Sequence, residues 1–181
     1  MRRAAKMSAI GFVMALALLA SGCFRIEQFV DLSAPDTAGM TLRLWVQESF
    51  AGSEMDLFLN QLALTVPAIG EAARFRKTTA SQGVESYVVF EWAAKERHPV
   101  EGMPFTLTSR PDGSYEFRYP IGPFEGFSER TQSDSILMTV QVLFPREVDF
   151  ANTMVVRGKM AQWDLRKADL ASGVTLRAIT R

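Results

Sequence analysis

The chain has 181 residues, with 20 Lys and Arg against 20 Asp and Glu, so its formal net charge is zero. This balance lacks the basic excess typical of nucleic-acid-binding proteins, so nucleic acid is not an expected partner. A single cysteine excludes a disulfide within the chain, and the length fits about one domain.

The first 23 residues have the layout of a secretory signal. Three basic residues precede an apolar run at positions 10–20, and the small residues 20–22 precede Cys23. The run has 11 residues, whereas a membrane-spanning helix needs roughly 20. We therefore expect a signal peptide over residues 1–22, cleaved after Gly22. The residues before the cysteine resemble the lipobox of bacterial lipoproteins, which implies that Cys23 carries a lipid.

Removal of the signal leaves one domain, residues 23–181. It has 159 residues, with 17 Lys and Arg against 20 Asp and Glu, and its net charge is −3. Its expected link to the membrane is the N-terminal lipid, because several acyl chains anchor a protein firmly.

The first elements predicted along this domain are a hairpin and a helix. Apolar residues alternate over 24–32 and 40–46, which indicates two strands with one buried face each, joined by turn residues at 33–39. Ser53 is a suitable N-cap, and apolar residues follow at helical spacing. We expect a helix over roughly 54–75, kinked or broken near Pro67.

Strand patterns resume after this helix. The sequence Pro-Asp-Gly at 111–113 predicts a hairpin turn, and Gly158 permits another. A mostly antiparallel β-sheet with one helical segment is an α+β fold. The later strands are predicted at 84–92, 105–109, 115–119, 136–144, 154–157, 160–165 and 174–179.

Residues that usually carry catalysis are scarce. His98 is the only histidine, so no zinc motif can be built around a second one. Acylation would remove the only thiol, and neither a Gly-x-Ser-x-Gly elbow nor a glycine-rich phosphate loop is present. We expect no enzymatic activity, no cofactor and no metal.

Two apolar features leave alternatives open. Ile121, Phe124 and Phe127 lie in a segment rich in Gly and Pro, and they either contact a lipid or protein partner or fold back over the core. Aromatic residues on or near the strands either line an apolar ligand site or belong to the core. These aromatic residues are Trp45, Trp92, Tyr115, Tyr119 and Trp163.

The C-terminal half resembles the LppM-type domain of bacterial lipoproteins. That family has a strand ending in Phe-Pro-Gly-x-Val, an Asn about four residues later, and then a strand with a Trp. Pro145, Val148, Asn152 and Trp163 match this pattern, whereas Arg146 replaces the usual Gly. We expect the matching residues to have structural roles, because the proline ends a strand and the asparagine suits a turn. The resemblance implies an extracytoplasmic α+β domain with lipid or envelope association.

The sequence thus predicts a membrane-anchored, extracytoplasmic lipoprotein without enzymatic activity. It binds a lipid, a glycolipid or an envelope partner; the alternative is a structural or assembly lipoprotein that acts through protein contacts alone. The residue after Cys23 is Phe24 rather than Asp. In a Gram-negative host this favours the outer membrane, facing the periplasm, over the inner membrane.

Overall fold

A computed structural model describes residues 24–51, 74–94, 96–123 and 135–181. In chain order the elements are β1 (Phe24–Ala34), β2 (Thr37–Gln47), a 3-10 turn (Glu48–Phe50), β3 (Arg74–Gln82), β4 (Glu85–Ala93), β5 (His98–Pro99), β6 (Thr106–Ser109), β7 (Tyr115–Ile121), β8 (Ile136–Leu143), β9 (Val148–Ala151), β10 (Val155–Arg157), β11 (Met160–Arg166), α1 (Lys167–Ser172) and β12 (Val174–Thr180).

The strands form two sheets. The larger has the order β10-β11-β8-β1-β2-β4-β3, with β5 paired to β2, and the smaller has the order β6-β7-β12-β9. β1 pairs with β8 in parallel, and the other described pairs are antiparallel. The described part of the chain is thus essentially all-β, with one six-residue helix, and the predicted α+β class is wrong.

The described end of the predicted helix differs from the expectation at β3. The helix predicted over 54–75 lies outside the described residues except for its last two positions, which begin β3. Basic residues at 74, 76 and 77 resemble a helix C-terminus, but here they belong to an edge strand paired with β4. An edge strand tolerates charged side chains, and lysine there discourages pairing with another chain.

Most of the predicted strands and hairpins are confirmed. β1 and β2 pair from Phe24↔Val46 onward, as the two alternating segments indicated. Gly113 (φ 79°) and Gly158 (φ 58°) occupy the left-handed conformation that their hairpin turns require. The patterns did not predict β5, β9 or α1. No helix within the described ranges is both long and apolar enough to cross a membrane.

The larger of two buried clusters lies between the two sheets and includes Phe117, and the smaller cluster lies on β1, β2 and β4. The Phe117 side chain is fully buried. Its ring lies between 5.4 and 6.4 Å, centroid to centroid, from those of Phe105, Tyr119, Phe144 and Trp163. These distances fall in the favourable range for aromatic pairs. The contacts of Phe117 with Phe144 and Trp163 therefore help to hold the smaller sheet against the larger one, together with the aliphatic residues of the core.

One polar contact also crosses the core. Gln28 interrupts the apolar alternation of β1, and in the structure it is buried. Tyr119 Oη donates a hydrogen bond to Gln28 Oε1 at 3.1 Å, and Gln28 Nε2 contacts Met40 Sδ at 3.7 Å. Burial raises the pKa of Tyr119, although the bond to Gln28 opposes this shift. The phenol therefore stays neutral and ties the smaller sheet to β1.

Candidate functional site

The outer face of the larger sheet, which points away from the core, is polar. Successive side chains of a strand alternate between faces, so Glu27 and Phe29 lie opposite to the buried Val30. The registers align one such residue from each of six neighbouring strands. This set, the polar row, consists of Asp164, Thr139, Glu27, Arg43, Glu91 and Arg76.

Hydrogen bonds and ion pairs orient these side chains before any ligand arrives. Arg43 Nε pairs with Glu91 Oε2 at 2.5 Å. At the other end of the row, Thr139 Oγ1 donates to Asp164 Oδ1 at 2.9 Å. Gln162 Nε2 donates to both oxygens of the same carboxylate, at 3.0 and 3.1 Å. Held side chains lose less conformational entropy when they bind a ligand.

A cavity of about 250 Å³ opens on this face where β1, β2 and β8 run side by side. We call it the sheet-face cavity. It combines one aromatic ring with amide, carboxylate, hydroxyl and guanidinium groups. A second hollow of about 70 Å³ shares Gln141 with it and continues towards β10. The lining residues of the sheet-face cavity are Glu27, Gln28, Phe29, Thr41, Arg43, Thr139 and Gln141.

This lining suits a small polar ligand rather than an acyl chain. The amide of Gln141 both donates and accepts hydrogen bonds, and it already donates to Gln162 Oε1 at 2.8 Å. The Arg43 side chain is 50% exposed, so its guanidinium can also reach a hydroxyl or phosphate oxygen. Phe29 offers an apolar surface between them. The cavity is smaller than the roughly 300–1,000 Å³ of typical drug-sized pockets.

The structure places few of the sequence-predicted contact residues on a surface. Gly22, Cys23, Phe124 and Phe127 lie outside the described residues. Ile121 is 4% exposed and packs into the core at the end of β7, so it does not present a contact surface in this conformation.

The aromatic residues divide between core and surface. Trp92, Tyr119 and Trp163 are buried, as the core alternative expected. Trp45 is half-buried on the outer face, where it contacts the ring of Tyr87 at 6.0 Å between centroids. Arg146 lies over the half-buried ring of Tyr115, 6.0 Å from its centroid.

Three of the four motif residues, Pro145, Val148 and Asn152, lie where the chain passes between the sheets, and the fourth, Trp163, lies on β11. Pro145 follows β8, and its carbonyl accepts a hydrogen bond from Lys159 Nζ at 3.1 Å. Val148 begins β9 in the smaller sheet, and its amide donates to the Gly158 carbonyl at 2.9 Å. They stabilise the crossing, which agrees with a structural role.

The Asn152 side chain, in the connection after β9, joins two strands, β11 and β12. Its Oδ1 accepts from Trp163 Nε1 at 2.9 Å and from the Arg177 amide at 2.7 Å, and its Nδ2 donates to the Thr175 carbonyl at 2.8 Å. No non-glycine residue in the described ranges has a positive φ, so Asn152 does not use the left-handed conformation that the sequence allowed. It bonds the backbone of β12 instead.

Asn152→Ala is expected to lower the free energy of unfolding by about 2 kcal/mol. It removes all three side-chain hydrogen bonds of Asn152, including the one from the buried Trp163 indole, although water replaces part of them because Asn152 is exposed. Asn152→Asp keeps the Oδ1 acceptor and should lose less than the alanine variant. Urea unfolding measures both, and equal losses would contradict this role.

Among the described residues, neither His98 nor a metal-ligand cluster lies at the sheet-face cavity. His98 and Pro99 form the short β5 beside β2. Among the side chains described, no group of three His, Cys, Asp or Glu residues is arranged to hold a metal ion.

Sequence reasoning missed the polar row because its members are far apart in the chain. Glu27 and Arg43 are adjacent only through the β1–β2 register, and Thr139 joins them through the parallel β1–β8 pair. The sequence signal that could locate the polar row is a polar residue between apolar residues on each strand. It identifies an exposed face but not which strands lie side by side.

Comparisons with known proteins give one similar structure. No protein-family model matches the chain, and no curated protein matches it. The chain is similar to the NMR structure of the folded domain of LppM from Mycobacterium tuberculosis, with 13% identity and a TM-score of 0.44. The similarity covers 88% of this chain and 90% of that one.

Proposed function

We propose that this chain is a lipid-anchored extracytoplasmic protein that binds the polar headgroup of an envelope lipid or glycolipid without catalysing a reaction. In a Gram-negative host it faces the periplasm from the outer membrane. The observation that carries the proposal is the sheet-face cavity, in which Phe29 lies among polar side chains on an otherwise regular sheet.

The position of the cavity relative to the predicted anchor supports a membrane ligand. Phe24 is the first residue of β1, and the acylated Cys23 would precede it directly. A strand rises about 3.3 Å per residue, so Glu27 lies about 10 Å and Phe29 about 17 Å from Phe24 along β1. A headgroup that projects from the bilayer can reach this height while its acyl chains stay in the membrane.

The chemistry of the lining supports a headgroup with hydroxyl or phosphate oxygens. Arg43 supplies donors in a planar fork that matches a phosphate. Gln141 and Thr139 supply both donors and acceptors for hydroxyl groups. The ring of Phe29 can pack against the apolar face of a sugar. Each of these groups is already at the edge of the cavity, so binding needs little rearrangement.

Native mass spectrometry of the protein extracted from its host membranes tests this function. The wild-type chain is expected to retain a lipid of defined mass, and Arg43→Gln should retain about tenfold less, because one charge-assisted hydrogen bond contributes about 1.5–3 kcal/mol. The fold should survive, since an exposed ion pair such as Arg43–Glu91 contributes about 0–1 kcal/mol.

The matched control is Arg118→Gln. Arg118 is 54% exposed and pairs with Glu116 on the smaller sheet, away from the cavity. It should retain the lipid as the wild type does. A wild-type chain without bound lipid, or equal retention by Arg43→Gln and Arg118→Gln, would contradict the proposal.

A second candidate function is a structural lipoprotein that binds an envelope protein. Phe150 is 51% exposed on β9, and Val156 is exposed on β10, each at the edge of its sheet. Exposed edges with apolar side chains favour pairing with another chain. A protein partner that Phe150→Ser releases, with no lipid bound to the wild type, would favour this alternative.

A further inference from the structure

We infer that the end of the larger sheet where β1 begins is a membrane-contact surface that orients the domain on the bilayer carrying its anchor. This inference rests on the proposed lipid anchor but not on the headgroup site. The anchor-end surface consists of Arg25, Trp45, Val84, Tyr87 and Ile136.

The registers bring these residues to one end of the sheet. Phe24 pairs with Val46, and Val46 pairs with Val88, so β1 begins where β2 ends and β4 begins. β8 runs parallel to β1 and therefore begins at the same end, at Ile136. The β3–β4 hairpin turns beyond this edge, and its tip extends roughly 10 Å past Tyr87 at about 3.3 Å per residue.

Two exposed apolar side chains point to an apolar environment here. Val84 occupies the tip of the β3–β4 hairpin and is fully exposed. Turn positions usually carry polar residues or glycine, and the adjacent Gly83 already supplies the positive φ of this turn. Ile136, at the start of β8, is also exposed. A valine at a projecting tip gains free energy only if another apolar phase covers it.

The residues behind the tip have the composition of a membrane interface. Trp45 and Tyr87 form an edge-to-face pair on the outer face of the sheet, and the Arg25 guanidinium lies 5.3 Å from the Trp45 ring centroid. Trp and Tyr concentrate at the level of the lipid headgroups, and Arg binds phosphate there. The lipid on Cys23 would enter the bilayer two residues before Arg25.

Two hydrogen-bond donors of this surface also lack an acceptor. Trp45 Nε1 and Arg25 Nε are both buried and have no hydrogen-bond partner among the described residues, although Arg25 forms an ion pair with Glu27 through its terminal nitrogen. Buried donors without partners are costly. Because both nitrogens are covered by neighbouring atoms, a lipid phosphate oxygen meets instead the exposed part of the Arg25 side chain, which is 35% exposed.

The charges of the anchor-end surface favour a zwitterionic lipid for the vesicles that test membrane contact. Glu48 and Glu85 are exposed close to Tyr87, and Tyr87 Oη donates to the Glu85 carboxylate. These two acids balance the positive charges of Arg25 and of the exposed Arg166, which pairs with Ile136, so net attraction to an anionic surface is not expected. The membrane contact depends instead on insertion of Val84 into the apolar layer and on the preference of Trp45 and Tyr87 for the membrane interface.

Tryptophan quenching in vesicles tests this surface. The acylated chain is reconstituted in phosphatidylcholine vesicles with brominated acyl chains, which quench nearby indoles. Trp92 and Trp163 are buried in the protein, so the quenched signal should come from Trp45 and disappear in Trp45→Phe. Val84→Ser should shift the orientation equilibrium away from the membrane about tenfold and reduce quenching accordingly.

The matched control is Met154→Ser, a fully exposed apolar residue that lies away from the anchor end, next to β10. It should leave quenching unchanged. Absence of quenching in an acylated wild-type chain, or equal effects of Val84→Ser and Met154→Ser, would overturn the surface while the anchor and the headgroup site stand. A chain whose intact mass lacks the acyl groups would overturn the anchor and this inference with it.

Discussion

Phe117→Ala is expected to lower the free energy of unfolding by about 3–5 kcal/mol, the usual cost of removing a buried aromatic ring. The large value follows from its position. Phe117 contacts rings from both sheets, including Phe144, which directly follows β8, and Trp163 of β11. Alanine would leave a cavity between the sheets, bordered by the rings of Phe105, Tyr119, Phe144 and Trp163.

Chemical denaturation of the variant and of a surface control measures this effect. Phe150→Ala removes the same ring from β9 of the same sheet, but that ring is half exposed. It should cost less than about 1 kcal/mol, since exposed substitutions have small effects. A loss below 1 kcal/mol for Phe117→Ala, or similar losses for both variants, would show that the sheets are held together elsewhere.

Cys23→Ser is expected to move nearly all of the protein from the membrane fraction to the soluble fraction. Each buried CH₂ of an acyl chain contributes about 0.8 kcal/mol to membrane binding. Loss of several acyl chains therefore removes far more binding free energy than insertion of Val84 can supply. Membrane fractionation and the intact mass of the mature protein report the change. The wild-type mass should include the acyl groups, and the serine variant should lack them.

Ser21→Ala is the matched control for this substitution. It keeps a small residue before the cysteine, so cleavage after Gly22 and acylation should both persist. A Cys23→Ser chain that stays in the membrane fraction without acyl groups, or a wild-type chain without them, would contradict the lipoprotein assignment.

Local sequence predicted most of the strands because each one alternates cleanly. β8, with buried Val140 and Val142 separated by Gln141, is the clearest example, and its predicted limits differ by one residue from those observed. Turn residues with defined conformations located the hairpins at Gly113 and Gly158. These signals act between residues close in the chain, so they require no knowledge of the sheet order.

The fold class failed because edge strands carry weak patterns. β3 has exposed Arg, Lys and Thr side chains and lacks an apolar alternation, so its basic residues resemble a helix end. β9 has four residues and β5 has two, too few for a periodic signal. Their pairing comes from the strands beside them and not from their own sequences.

The candidate site depends on long-range pairing that one sequence does not reveal. Phe29 faces Thr41 across the hairpin, which was predictable, but it faces Gln141 through the parallel β1–β8 contact. Gln28 shows the same limit. In the sequence it is only a polar residue within an apolar pattern. The structure accounts for its burial, because Tyr119 on the other sheet donates a hydrogen bond to its side chain. Asn152 and Trp163 were expected to be structural, and their hydrogen bond gives that expectation a physical basis.

Site-specific photo-crosslinking in the intact host cell tests the central claim most directly. A photoreactive benzoylphenylalanine in place of Phe29 puts the crosslinker at the sheet-face cavity, and the same residue in place of Thr108 on β6 serves as the control. The account predicts a lipid adduct of defined mass at position 29 and none at position 108. Protein adducts alone at position 29, or the same lipid adducts at both positions, would contradict it.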